Sequence, residues 1–320
     1  MKIITPKTKD IQKSLDAGGL IEFKPGMYFI NKPLKLREGS LVNAYGCTFE
    51  FEVDECVITM ASQSCWNGGI FIGNLAGKDP NLIRSVFRIG EYNNVSGISN
   101  ASVSDVELMV INSEFNFSGI WILGACNNVD VANIAFESRA KNTVAAISTH
   151  WGCWKNCDPE TGTTHPQNIR ISNIVAHGLK HFTDNEAAIV TVSASSNVSI
   201  SNIYCSECWY GVFLTCGDYG FDHSTSGVFC STVSLSNVHA NGCKSAGALL
   251  QSRSTKINQN WKSCYTFENC TFVGEGTGEG GILYVDSDRS IFDACRFEKF
   301  TQLESGRCYS SELRACIYEP

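Results

Sequence analysis

Asp218, Arg253 and Asp286, with His150 nearer the middle of the chain, are residue types that can break a glycosidic bond. Two carboxylates facing each other across a sugar act as general acid and general base: one protonates the glycosidic oxygen, the other activates water. An arginine beside them supplies the cation that elimination next to a uronate carboxylate requires, with His150 or Tyr219 as base or acid. On an ordinary surface the same charges form an ion-pair ladder worth ~0–1 kcal/mol per pair. Residue types alone leave these readings open. What decides is whether the chain brings such distant positions into one line.

The stretch 145–167, "AAISTHWGCWKNCDPETGTTHPQ", raises the question locally. A strand-like run enters His150 and Trp151, and cysteines, acids and a second histidine follow. His150, Asp158, Glu160 and His165 are metal-ligand types, but their spacing matches no metal motif. Aromatic rings beside acids and amides suit a glycan better, because sugar C–H faces stack on rings while hydroxyls form hydrogen bonds. Trp151 and Trp154 supply rings here, and "CGDYGFDH" at 216–223 supplies Tyr219, Phe221 and His223. The candidate catalytic residues are therefore Asp218, Asp286, Arg253 and His150, and the candidate substrate-binding residues are Trp151, Tyr219 and Asp288. No metal and no cofactor is expected. The plainer alternative is that these rings close the 151–167 loop against the body of the protein.

Such residues need a scaffold, and the sequence shows one as a repeat. A pattern of an apolar residue, a polar one, Asn or a stand-in, and an apolar one recurs as "VSDV" 103–106, "VANI" 131–134, "ISNI" 171–174 and 200–203, "LSNV" 235–238, "FENC" 267–270 and "FDAC" 292–295. Its alternation is that of strands. A second strand follows most copies: "GIWIL" 119–123, "AAIST" 145–149, "AAIVT" 187–191, "GVFLT" 211–215, "GALLQ" 247–251 and "GILYV" 281–285. The period of roughly 25–40 residues is that of solenoids. The expected fold is all-β, a right-handed parallel β-helix whose coils stack at ~4.8 Å and share one core. The recurring Asn suits a coil corner, since it tolerates left-handed backbone and its amide can bond along a stack of equivalents. A β-propeller would need antiparallel hairpins, and the I′-type turn dipeptides they use are scarce.

Aligning the second strands predicts one surface column just beyond them: Gly124 and Ala125, His150 and Trp151, Val192 and Ser193, Gly217 and Asp218, Ser252 and Arg253, Asp286 and Asp288. Carboxylates two coils apart would stand ~10 Å apart, near the upper edge of the ~6.5–9.5 Å of inverting glycosidases.

The N-terminal run "KTKDIQKSLDAGG" reads as a short capping helix with Ile11 and Leu15 on one face and Gly18 and Gly19 at its end. A helix there covers the open sheet edge of a solenoid. Residues 1–50 are read as cap and first coil, and 51–320 as the body of a single domain. The run "DIQKSLDAGGLIEFKPGMYFINKPLKLREGSLVNAYGCTF" and the stacked "SNI" rungs resemble pectin-lyase-like parallel β-helix proteins, including pectate-lyase-type enzymes and phage tailspike depolymerases. The resemblance implies a polysaccharide-cleaving enzyme with a polysaccharide partner, glycoside hydrolase favoured over lyase. A glycan-binding or structural virion β-helix, or a sugar epimerase or transglycosidase, are the alternatives. It also implies a homotrimer, although "TQLESGRCYSSELRACIYEP" shows no heptads. No calcium-binding aspartate set and no polygalacturonase signature carries over to named residues.

With a net charge of −7 and no Lys/Arg cluster, nucleic acid is not an expected partner. No apolar run reaches the ~20 residues of a membrane span, and the N-terminus lacks a signal-peptide core. A virion or cytoplasmic location is the expectation. The 16 cysteines include one C-x-x-C, Cys205 and Cys208, without a matching second pair, and read mainly as small reduced core residues.

Overall fold

The computed structural model describes residues 1–77, 84–91, 97–150, 165–179, 187–215, 229–251, 261–278 and 280–320. Every strand pairing among them is parallel, and the 24 strands join in one sheet in which most pair with a strand one coil away. The chain is a parallel β-helix. Each full coil of the body contains a short strand, such as Phe117–Leu123 or Thr143–His150, and a long bent strand, such as Asn127–Ser138 or Gln167–Leu179. In later coils the two merge, so Ser196–Thr215 and Phe229–Gln251 run from the bent strand straight into the short one.

Period-two alternation drives each arm. In Asn127–Ser138 the side chains of Val129, Val131, Ile134 and Phe136 are buried, with polar or small residues between them. The bend comes at the Asn of the repeat. Asn133, Asn173, Asn202 and Asn237 all have φ between 54° and 57°, a left-handed conformation that Asn adopts more readily than other non-glycine residues. Their amides form a ladder: Asn133 donates to Asp105 at 2.8 Å, Asn173 to Asn133 at 2.9 Å, Asn202 to Asn173 at 3.1 Å and Asn237 to Asn202 at 3.2 Å. At its start, the Tyr45 hydroxyl and the Asn133 amide both donate to Asp105 and hold its carboxyl below its ordinary value. Asp105, Ala294 and Ala315 occupy the same corner with φ of 58°, 51° and 49°. Asn173→Ala should lose about 1–3 kcal/mol, from backbone strain plus two ladder bonds. Asn173→Gly should lose less, and urea unfolding of the two variants checks the order.

The core is a stack of rings. Phe49 stacks on Phe71 at 4.7 Å, Phe267 on Phe292 at 4.3 Å and Phe272 on Phe297 at 5.5 Å. These rings explain the small residue that opens the repeated short strand. A Cβ on Gly119 would lie 2.7 Å from Phe136, and one on Gly247 would lie 2.6 Å from Phe272. The corner residue faces inward, and only a small one fits under the ring.

The expected cap is present, with a helix confined to Ile11–Leu15. Asp10 caps it by accepting from the Lys13 N–H at 2.9 Å, and Leu15 is fully buried. The Gln12 amide pairs with strand Leu34–Lys35, donating to the Lys35 carbonyl at 2.9 Å and accepting from its N–H at 2.8 Å. One side chain thus satisfies backbone groups that a first coil would leave open.

Twelve of the described cysteines are free thiols, and eight of these are buried. Cys205 and Cys208 are fully covered, and Cys208 Sγ lies 3.5 Å from Cys243 Sγ on the next coil. Burial pushes the Cys126 thiol from 9.0 up to about 12. The Tyr28 hydroxyl rises from 10.0 to about 12, also chiefly through burial. Both groups favour their protonated form when folded. The stability they contribute is full below pH 9.0 and is lost as pH rises through about 12. Urea midpoints measured at rising pH should fall across that window, and described thiols should react with a disulfide reagent slowly until the chain is unfolded.

Candidate functional site

The short strands present one continuous outward column. Register joins Thr59 to Arg88, Arg88 to Trp121, Trp121 to Ser148, Ser148 to Thr191, Thr191 to Phe213, Phe213 to Leu249 and Leu249 to Leu283. Two residues further along each strand runs a second outward column. There Leu123 pairs with His150, and Ser193 pairs with Thr215, Thr215 with Gln251 and Gln251 with Val285. Ser193 directly follows Val192, the partner of Thr149, so both sets lie on one line. The columns are spaced ~4.8 Å per coil along the helix axis.

His150 ends its strand on this face, half-buried. The early strands pair differently from the motif alignment: Ala145 meets Ala188 rather than Ala187, and Ala188 meets Tyr210 rather than Val212. His150 thereby shares its column with Thr215, Gln251 and Val285. From Thr215 onward the expected alignment holds. Thr215, Gln251 and Val285 are in register, and Asp218, Arg253 and Asp286 are the third, second and first residues after them. Asp218, Tyr219, Arg253, Trp151, Trp154, Asp158 and Glu160 lie outside the described residues. Asp286 lies within strand Gly280–Asp293, which continues past it.

Asp288 is engaged in the fold. Its carboxylate accepts from the Ser263 N–H at 3.0 Å, and its own N–H donates to Ser263 Oγ at 3.4 Å. His165 is buried, and its Nδ1 donates to the Ala194 carbonyl at 2.9 Å. Among the described residues no cluster of three or more His, Cys, Asp or Glu could hold a metal ion.

The column also holds groups that the repeat did not reveal. Trp121 is the outward residue of "GIWIL", half-buried, and its Nε1–H meets no acceptor among the described residues. The Ser148 hydroxyl below it pairs with Ser118 at 2.6 Å. Thr191 Oγ1 and Arg88 Nε are also without hydrogen-bond partners. Arg88 contacts the Glu55 carboxylate and lies 3.8 Å from that of Glu91. Its strand reads "SVFRIG", the same alternation with Val86 in place of the small corner residue. Toward the other end the face becomes apolar: Ala188, Phe213 and Leu249 form a separate cluster joined by Tyr210, Leu283 and Val285. The strip thus runs from charged and aromatic, through hydroxyl-bearing, to apolar.

No protein-family model and no curated protein sequence matches the chain. Solved structures do. The tailspike protein of E. coli bacteriophage HK620, in complex with a pentasaccharide, superposes with a TM-score of 0.65 at 12% identity. The match covers 97% of this chain and 62% of the tailspike, so the chain spans somewhat under two thirds of that protein's length. An exopolygalacturonase from Thermotoga maritima gives 0.58 at 10% identity, covering 99% of this chain and 92% of that one. An endo-xylogalacturonan hydrolase from Aspergillus tubingensis gives 0.55 at 12%, with the same coverages. The fold is the right-handed parallel β-helix. At such identities the likeness concerns the path of the backbone. In this β-helix the side chains of the strip are its own, and their chemistry has to be argued from them.

Proposed function

We propose that the chain is a polysaccharide-degrading β-helix of the phage tailspike kind, acting on a glycan laid along the outward columns of the short strands. One observation carries the reading: Thr215, Gln251 and Val285 are in register on three successive coils, and Asp218, Arg253 and Asp286 follow them. That order supports two carboxylates with an arginine between them at the end of one strip. Hydrolysis is the favoured chemistry. One carboxylic acid gives its proton to the leaving oxygen, while the other carboxylate takes a proton from the attacking water. His150 and Trp121 belong to the same face and suit the holding of sugar rings, and Trp151 directly follows His150 in the chain.

A second reading is favoured by a different observation. From Thr59 to Leu283, and from Leu123 to Val285, the columns hold no carboxylate among the described residues. Such a strip suits a module that binds glycan without cleaving it. A panel of polysaccharides decides, read for new reducing ends and for ultraviolet absorbance of unsaturated products. Reducing ends without absorbance are expected. Absorbance would make the protein a lyase, and binding without either signal would make it a binding module.

A further inference from the structure

We infer that Arg88, Glu55, Glu91 and Trp121 form a binding subsite for an uncharged sugar residue at the N-terminal end of the strip, an inference that rests on the glycan reading above. Arg88 and Trp121 are register partners, so the guanidinium and the indole stand one strand spacing apart on the same outward column. The Arg88 side chain is only 11% exposed, whereas those of Glu55 and Glu91 are 30% and 50% exposed. The surface a ligand meets is therefore made of carboxylate oxygens, with the cation behind them. Arg88 holds both acids in place, contacting Glu55 directly and Glu91 at 3.8 Å.

The chemistry selects a ligand class. Fixed carboxylates accept hydrogen bonds from sugar hydroxyls, and the indole face takes the C–H face of a ring. Trp121 Nε1–H and Arg88 Nε–H, which meet no acceptor among the described residues, are donors on the same column. Three charged groups sum to one net negative charge, and Arg88 is the one charged side chain in the column between Thr59 and Leu283. A uronate would bring its own carboxylate against two others, with the nearby cation already matched. Repulsion and unpaid desolvation then exclude it.

The test uses the full chain and calorimetric titration with defined pentasaccharides: neutral gluco-, galacto- and manno-oligosaccharides, and an oligogalacturonate. Wild type should bind at least one neutral probe and should bind the oligogalacturonate at least tenfold more weakly. Trp121→Ala should weaken the neutral probe by about tenfold, while Trp121→Phe, which keeps a ring, should stay within about threefold. Glu91→Gln removes one exposed charge and should narrow the gap between neutral and acidic probes. Urea midpoints confirm that each variant is folded. Oligogalacturonate binding as tight as the neutral probes, or a folded Trp121→Ala with unchanged affinity, would overturn the subsite. If a neutral glycan is cleaved and these variants change nothing, the subsite falls and the glycan reading stands. If no probe binds and no polysaccharide is cleaved, both fall together.

Discussion

Asp286→Asn and Asp218→Asn should each lower glycan cleavage by ~10²–10⁴-fold, the usual cost of removing a positioned general acid or base. Their stability should change by no more than ~1 kcal/mol, as for a carboxylate in a surface ion pair. Steady-state rates on whichever polysaccharide the panel identifies, with urea midpoints alongside, separate the two effects. Trp151→Ala belongs in the same experiment with a different outcome. Stacking acts on the ground state and the transition state alike, so KM should rise while kcat holds. The in-register order Thr215, Gln251, Val285 is the reason to look here first. If both aspartate variants retain full turnover, the reacting groups lie elsewhere on the strip, and the opposite end around Glu91 is the next place to substitute.

Phe49→Ala should be the most damaging single change in the described core, at about 3–5 kcal/mol. Phe49 is fully buried, stacks on Phe71 at 4.7 Å and on Tyr28 at 5.3 Å, and meets Phe23 edge-on at 5.2 Å. Its ring bridges the first coils to those above, and neighbouring strands fixed by parallel ladders cannot close over the space left behind. Because each coil rests on the next, the loss should propagate from the N-terminal end. Urea unfolding followed by fluorescence should show a lower midpoint, and hydrogen exchange should show the coils nearest the cap opening first. A change below ~1 kcal/mol would mean that the stack relaxes, contrary to the packing argument.

Much of the site was legible only in part. The outward position of Trp121 follows from the alternation in "GIWIL", and a reader asking which residue faces solvent would find it. Arg88 was harder, because Val86 replaces the small corner residue that marks the other short strands. Nothing local announces its pairing with Glu55, since those residues are 33 positions apart and meet only through coil register. Asp288 is acidic and near the expected column, yet its bond to the Ser263 N–H gives it a structural task that composition does not reveal.

The sequence by itself determined the coil. Period-two alternation decides which side chains face inward, and Asn at most repeats supplies the left-handed corner where the strand bends. Both are properties of a few adjacent residues and need no knowledge of distant ones. The capping helix was equally local, set by Asp10 at its start and by Gly18 and Gly19 after it, with φ of 65° and 68°. The tertiary structure alone decided which residues share a column. Ala145 pairs with Ala188 and Ala188 with Tyr210, and these choices put His150 in line with Thr215 and Gln251. Runs such as "AAIST" and "AAIVT" are apolar at nearly every position, so they read equally well one residue out of step. Register is set by how each coil packs on the one beneath, and a functional strip that crosses coils inherits every such choice.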